Sequence, residues 1–134
     1  MMKKTRNPNL VLTPVSAGFP NPAQDSSDVP LDLNQLVVAR PSSTFYMRVK
    51  GNSMEGSGIY DGDLVAVDKS LEPRTGDIIV AFIDGEFTLK HFAKKGNKIQ
   101  LVPANPDFEL VTITSANDFQ IWGVVRANIR IYHS

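Results

Sequence analysis

The chain has 134 residues, of which 42% are hydrophobic and 21% charged, and its 14 basic residues balance its 14 acidic ones. A chain of this length suits one domain, and its neutral charge gives no indication of direct, sequence-specific DNA binding. The absence of cysteine excludes disulfides, thiolate metal sites and a cysteine nucleophile.

The longest uninterrupted apolar run covers residues 78–83. A membrane-spanning helix requires about 20 apolar residues, so we expect no membrane segment. The N-terminus carries three cations, but no long apolar region follows them, which argues against a signal peptide. We therefore expect a cytoplasmic protein.

The N-terminal part differs in composition from the rest of the chain. Six of the nine prolines, but one of the nine glycines, lie in the first 41 residues. Because proline fixes φ and removes a backbone donor, this density disfavours helices and sheet ladders. We predict an extended arm over residues 1–40, followed by a domain over residues 41–134. Asp32 and Gln35 have the spacing of a capping box, which predicts a short helical turn near 32–38.

From Thr44 onward, short β-rich runs alternate with glycine-containing turns. The predicted strands cover residues 44–49, 63–67, 77–83, 86–92, 98–102, 110–114, 119–126 and 129–132. Asp84 and Gly85 form the strongest hairpin signal, because a type I′ turn requires positive φ at both positions. The predicted fold class is mainly β, a twisted meander or partly open barrel of short strands.

Ser53 lies in a glycine-rich turn, residues 51–56, directly after a predicted strand. Gly51 allows a sharp bend and leaves room for a peptide to approach. Such a turn can aim backbone N–H groups, including that of Ser53, at a developing oxyanion. Serine is also an ordinary turn residue, so the turn alone does not establish a nucleophile.

Lys90 is central in an otherwise largely apolar strand, residues 87–92. If its face is buried, desolvation lowers the pKa of the ammonium and makes the neutral amine available as a base for a serine. The alternative is a lysine whose stem packs while its head reaches solvent. His91 is on the opposite face of the strand, and His133 is the penultimate residue, where chain ends are usually mobile.

Five segments together resemble the peptidase domain of the LexA-type self-cleaving serine peptidases (peptidase family S24). They are residues 51–54 (GNSM), 58–64 (GIYDGDL), 85–90 (GEFTLK), 103–106 (PANP) and 121–125 (IWGVV). The resemblance covers nearly all of residues 40–128 and implies a LexA/signal-peptidase-like twisted β fold. It gives Ser53 the nucleophile position and Lys90 the general-base position. It places Gly51, Asn52 and Met54 in the substrate cleft and oxyanion loop.

Members of this family cut their own N-terminal arm, commonly at an Ala-Gly or Cys-Gly bond. Ala17–Gly18 supplies such a bond within the arm. Seventeen residues precede Gly18, too few for the helix-turn-helix domain of LexA and phage repressors, so the chain resembles the UmuD-like branch. Residues 19–23 and 31–36 also look UmuD-like. Ala17 stands where the best-known UmuD proteins have cysteine, and alanine is usual in the repressor branch.

The resemblance implies a homodimer that cleaves itself when the RecA–single-stranded DNA filament forms during the SOS response to DNA damage. The processed form then joins a Y-family DNA polymerase subunit (UmuC-like) in translesion synthesis and SOS mutagenesis. Whether the arm is cut in cis or in trans stays open.

Three alternatives remain from the sequence. The first is a peptidase acting on other proteins, as type I signal peptidases do with a similar Ser–Lys pair, although no membrane anchor is expected. The second is a non-enzymatic dimeric adaptor that binds a polymerase. The third is a remnant of a LexA or phage-type repressor without its DNA-binding domain. The aspartates beside glycines, Asp61, Asp63, Asp77 and Asp84, are interpreted as turn residues, and we expect neither a cofactor nor a metal.

Overall fold

The computed structural model describes residues 8–12, 14–18 and 28–134. The N-terminal cations and the UmuD-like segment 19–23 lie outside this part. The chain divides into two compact units after Leu36. The predicted division into residues 1–40 and 41–134 stays a prediction. The described residues include no helix with the length and apolar character needed to cross a membrane.

The first unit contains a short ladder of two strands. Strand β1 (Asn9–Val11) pairs antiparallel with β2 (Asp28–Pro30), and the Leu31 amide donates to the Pro8 carbonyl at 3.1 Å. The expectation that the proline-rich arm disfavours a ladder is therefore wrong for these strands. The reason is position, because Pro8 precedes β1 and Pro30 is the last residue of β2, where a missing N–H is tolerated.

Helix α1 (Leu33–Val37) confirms the predicted helical turn. The Asp32 carboxylate accepts a hydrogen bond from the Asn34 amide at 3.0 Å, which satisfies one of the backbone donors that a helix start leaves free.

The second unit is built on one seven-stranded antiparallel sheet with the order β3-β4-β9-β5-β6-β7-β8. Its strands are β3 (Thr44–Arg48), β4 (Leu64–Asp68), β5 (Ile78–Ile83), β6 (Glu86–Lys95), β7 (Lys98–Val102), β8 (Val111–Thr112) and β9 (Phe119–Ile129). Two 3₁₀ turns, Pro41–Ser43 and Glu55–Ser57, are the only helical elements in its described residues after α1. The mainly β prediction is confirmed.

Neighbouring residues of the central strand β5 enter different halves of the core. Val80 packs with Met54, Ile59, Val65 and Val67, whereas Ile79 packs with a second cluster. The second cluster consists of Ile79, Ala81, Phe92, Leu101 and Val124. This separation follows from strand geometry, since successive side chains point to opposite faces. Burial on both faces explains why the run 78–83 is apolar at every position.

The predicted hairpin between β5 and β6 is confirmed, with φ of 49° at Asp84 and 90° at Gly85. The prediction of separate strands at 119–126 and 129–132 is wrong, because β9 runs without a break from Phe119 to Ile129. Register shifts between Ala66 and Val67, and between Val80 and Ala81, accommodate its irregularities without ending it.

Asp68, at the end of β4, is a fully buried carboxylate that is completely hydrogen-bonded. Its donors are the Ser70 hydroxyl at 2.6 Å, the Ser70 amide at 2.8 Å, the Ser43 hydroxyl at 3.0 Å and Arg40 at 3.3 Å. The bond from the Ser70 hydroxyl has the largest effect on the carboxyl group. Together these bonds outweigh desolvation and lower the pKa of Asp68 to about 2.

This carboxylate makes stability depend on pH. Because the pKa of Asp68 is lower in the folded chain than in the unfolded one, its contribution is present above pH ~4 and is lost as pH falls toward 2. We expect Asp68→Asn to be less stable than wild type at pH 7, with a difference that narrows between pH 4 and 2. Urea unfolding at each pH measures it. Asp107→Asn, at an exposed position, should match wild type at pH 7. A difference for Asp68→Asn that stays constant down to pH 2 would contradict this account.

Candidate active site

A cavity of about 340 Å³ opens between the end of β3, the turn that follows it, and β6. Its apolar walls include Met47, Val49, Val80, Phe87, Leu89 and Phe108. Ser53 and Lys90 are among the polar residues that line it. The cavity thus combines an apolar surface with a few convergent polar groups, which is the usual character of a ligand site.

The structure brings Lys90 and Ser53 together. The Lys90 Nζ atom lies 3.0 Å from Ser53 Oγ, although the two residues are 37 apart in sequence. Nζ also donates to Thr88 Oγ1 at 2.6 Å and to the Leu89 carbonyl at 3.1 Å. The amine is therefore held at a fixed point by its own strand and directed at the serine hydroxyl.

Lys90 is half-buried, and desolvation lowers its pKa below the ordinary lysine value. The cavity that Lys90 lines has apolar walls, which Leu89 and Phe108 help to form. An amine with this environment spends a larger fraction of time neutral, and only the neutral form can accept a proton.

The turn that carries Ser53 is shaped by Gly51, which has a φ of 91° that L side chains rarely adopt. The Gly51 amide donates to Asp61 Oδ1 at 2.7 Å. The glycine-containing turn at residues 58–62 therefore supports the turn that carries Ser53. Met54 is 2% exposed and packs in the core while also lining the cavity. The backbone on either side of Ser53 is thereby fixed.

A further support comes from Ala104 and Asn105, to which the sequence analysis assigned no role. The Ala104 amide donates to the Ser53 carbonyl at 2.8 Å, and Asn105 Nδ2 donates to the Asn52 carbonyl at 2.9 Å. Ala104 in turn accepts a hydrogen bond from the Gly56 amide at 2.6 Å. The signal in the sequence for this support was an asparagine between two prolines, residues 103–106. Such a segment has few backbone conformations, so it can hold a neighbouring loop in place.

His91 contacts the same loop as Lys90, but at a different serine. Its Nε2 lies 2.7 Å from Ser57 Oγ, and its Nδ1 lies 3.0 Å from the Gly76 carbonyl. With Nδ1 donating to that carbonyl, Nε2 is left to accept the Ser57 proton. Ser57 is exposed, whereas Ser53 faces the cavity.

Ala17 and Gly18 belong to the first unit. Both are exposed, and the Gly18 amide donates to Ser16 Oγ at 3.3 Å. Their relation to Ser53 stays a proposal.

The interpretation of the aspartates beside glycines holds for Asp61, Asp77 and Asp84, which accept hydrogen bonds from backbone amides near or across turns. It is incomplete for Asp63, which is 1% exposed and forms a two-bond ion pair with Arg130, each bond 2.8 Å long. Arg130 is the main cause of the low pKa of Asp63, which lies well below its usual range. Among the residues described, no group of three or more His, Asp or Glu side chains is placed to hold a metal ion.

Comparison with known proteins agrees with this geometry. A family model described as Peptidase S24-like matches residues 9–126. The chain is 44% identical over 113 residues to protein SamA of Salmonella typhimurium, covering 84% of this chain and 78% of SamA. It is 44% identical over 112 residues to protein MucA of Escherichia coli, covering 83% of this chain and 76% of MucA. It is also 39% identical over 103 residues to the LexA repressor of Thiobacillus denitrificans, covering 77% of this chain and 51% of that repressor.

These matches define the class as self-cleaving serine peptidases. The chain belongs to the Peptidase S24-like family, and the family predicted from its sequence motifs is confirmed.

The lowered pKa of Lys90 can be measured directly. In the Ser53→Ala variant, which removes the serine hydroxyl, the Lys90 amine should titrate below the ordinary lysine value of about 10.4. Phe108→Ala admits water to the cavity and should move this pKa upward, because desolvation is its cause. NMR of labelled lysine side chains gives both values, with Lys90→Gln used to assign the signal. An amine that titrates at or above the ordinary value would contradict the desolvation argument.

Proposed function

We propose that this chain is a UmuD-like peptidase that cuts its own Ala17–Gly18 bond, with Ser53 as nucleophile and Lys90 as general base. The observation that carries the proposal is the 3.0 Å contact between Lys90 Nζ and Ser53 Oγ in an apolar cavity. A serine hydroxyl needs an adjacent base, and the amine of Lys90 can be one because partial desolvation lowers its pKa and so raises its neutral fraction.

The reaction begins when the neutral Lys90 amine accepts the proton of the Ser53 hydroxyl while Oγ attacks the carbonyl carbon of Ala17. The tetrahedral intermediate collapses by breaking the bond to the Gly18 nitrogen, and the Lys90 ammonium gives that nitrogen its proton. A water then attacks the acyl-enzyme with Lys90 again as base, releasing the Ala17 carboxylate and restoring Ser53. Thr88 and the Leu89 carbonyl keep Nζ in place through these transfers.

The arm suits this role as a substrate. Ala17 and Gly18 are exposed, and residues as small as these would let an extended strand enter a narrow cleft. Tethering the arm to the peptidase gives it a high effective concentration, so one slow turnover for each molecule is sufficient.

The proposed setting is the SOS response. The similarity to SamA and MucA over more than three quarters of their lengths, and to a LexA repressor, supports a damage-controlled member of the family. In this proposal the chain is a cytoplasmic homodimer, and the RecA–single-stranded DNA filament promotes docking of the arm. The processed form then serves a UmuC-like Y-family polymerase as an accessory subunit in translesion synthesis.

Intact-mass measurement at increasing alkaline pH tests the cleavage. Wild type should lose residues 1–17, at a rate that rises with the neutral fraction of Lys90, while Ser53→Ala and Lys90→Ala stay whole. Ser57→Ala is the matched control, because Ser57 is a second serine of the same loop with its own histidine partner, and it should cleave like wild type. If cleavage is lost in Ser57→Ala and kept in Ser53→Ala, the nucleophile is Ser57 rather than Ser53. If the arm stays intact in wild type and in every variant even with the filament added, self-cleavage is contradicted. The remaining explanation is then a non-enzymatic dimeric adaptor.

The activating role of the filament gives a separate prediction. If the filament promotes docking, it should accelerate cleavage without changing the cleaved bond. It should fail to rescue Ser53→Ala or Lys90→Ala, because it supplies no catalytic group. Peptide masses with and without the filament measure this. Cleavage of Lys90→Ala on adding the filament would show that a group from the filament takes part in the chemistry.

A further inference from the structure

Two consecutive carbonyl groups of the nucleophile loop (residues 51–56) accept hydrogen bonds from the same neighbouring segment (residues 104–108). The Asn52 carbonyl accepts from Asn105 Nδ2 at 2.9 Å and, at a longer distance of 3.4 Å, from the Glu55 amide, while the Ser53 carbonyl accepts from the Ala104 amide at 2.8 Å. Within the part of the chain that the structure describes, the Ser53 amide has no hydrogen-bond acceptor. The loop therefore has its acceptors satisfied on one side and keeps a free donor.

The orientation of that donor follows from the peptide group. The Asn52 carbonyl and the Ser53 amide belong to one planar trans peptide, in which C=O and N–H point in opposite directions. Holding the Asn52 carbonyl against Asn105 therefore turns the Ser53 N–H away from Asn105. Ser53 lines the cavity. An oxyanion formed beside its Oγ requires a hydrogen-bond donor, and a backbone N–H without another acceptor can be that donor.

Asn105 is itself held in one orientation. Its Oδ1 accepts from the Asp107 amide at 2.9 Å, which fixes the carbonyl end of the side-chain amide and leaves Nδ2 for Asn52. The Phe108 amide also donates to the Asn105 backbone carbonyl at 3.1 Å. The segment is thus a rigid turn rather than a loop that adjusts to the nucleophile.

Contact between the segment and the loop is close on the other side of Ser53 as well. The Gly56 amide donates to the Ala104 carbonyl, and a Cβ added at Gly56 would collide with that oxygen. The close approach therefore requires glycine here, and it keeps Ala104 and Asn105 in register with residues 52–53.

We propose that Asn105 is a positioning residue that holds the Asn52–Ser53 peptide so that the Ser53 N–H is directed at the oxyanion of the cleavage reaction. The inference rests on the proposed function, since it assigns the geometry that the Ser53–Lys90 pair needs. Losing an oxyanion donor outright costs about 10²–10³ in rate. Losing its support should cost less, and we expect self-cleavage to slow by about tenfold or more.

Asn105→Asp is the informative substitution, because it keeps the shape and the acceptor for the Asp107 amide but removes the donor to Asn52. Asn105→Ala removes the same donor without adding a charge. In both variants the maximal cleavage rate at alkaline pH should fall about tenfold or more. For Asn105→Ala the pH midpoint should stay that of wild type, since Lys90 is untouched. Reaction of Ser53 with a fluorophosphonate, which forms a tetrahedral adduct, should slow in parallel.

Asn117→Asp is the matched control. Asn117 also accepts from a backbone amide, that of Thr114 at 2.9 Å, and donates through Nδ2, but to Asp84. It should leave cleavage and labelling unchanged. Thermal unfolding of each variant separates loss of folding from loss of positioning.

Three outcomes are distinguishable. Slower cleavage with an unchanged midpoint in folded Asn105→Ala supports the inference. Wild-type rates in both Asn105 variants overturn it while leaving the Ser53–Lys90 pair intact. A wild-type chain that neither cleaves itself nor reacts at Ser53 overturns the proposed function instead.

Discussion

The hydrogen bond between Lys90 and Ser53 is the contact on which the site depends, and the rest of the second unit makes it possible. It joins the middle of a regular strand to a loop with little regular structure of its own. The strand is placed by its pairing with β5 on one side and β7 on the other. The loop has no such ladder, so its position must come from individual contacts.

Those contacts converge on the loop from three directions. Met54 packs in the core, and Asp61 accepts a hydrogen bond from the Gly51 amide. The segment around Asn105 exchanges further hydrogen bonds with the loop, among them the bond from Asn105 Nδ2 to the Asn52 carbonyl. The turn that contains Asp61 is held in its own right, since Arg130 binds both Asp63 and the Gly58 carbonyl. In the proposed reaction Ser53 must stay within about 3 Å of Lys90, and several independent contacts favour this because small misplacements are costly in rate.

Much of the fold could be predicted from the sequence, because period-two patterning and turn residues are local signals. The β5–β6 hairpin follows from Asp84 and Gly85 alone. The site was harder to predict, since the spacing around Lys90 by itself favours a lysine whose head reaches solvent, and only the family motifs favoured a base. The ion pair of Asp63 with Arg130 joins residues 67 apart, and the bond from Asn105 to Asn52 joins residues 53 apart. No local pattern encodes such pairs, so the structure was needed to find them.

The ladder between β1 and β2 has a consequence for the direction of the reaction. The Ala17–Gly18 bond lies between these strands in sequence, so the proposed cleavage would turn an intramolecular pairing into an association of two separate chains. A ladder of three residue pairs, in which the side chains of β1 are exposed, is too short to hold a free peptide. Once the peptide departs, its concentration near the enzyme falls from that of a tethered segment to that of bulk solution. Dilution then opposes religation, which makes the cut a one-way event even though hydrolysis through an acyl-enzyme is reversible in principle.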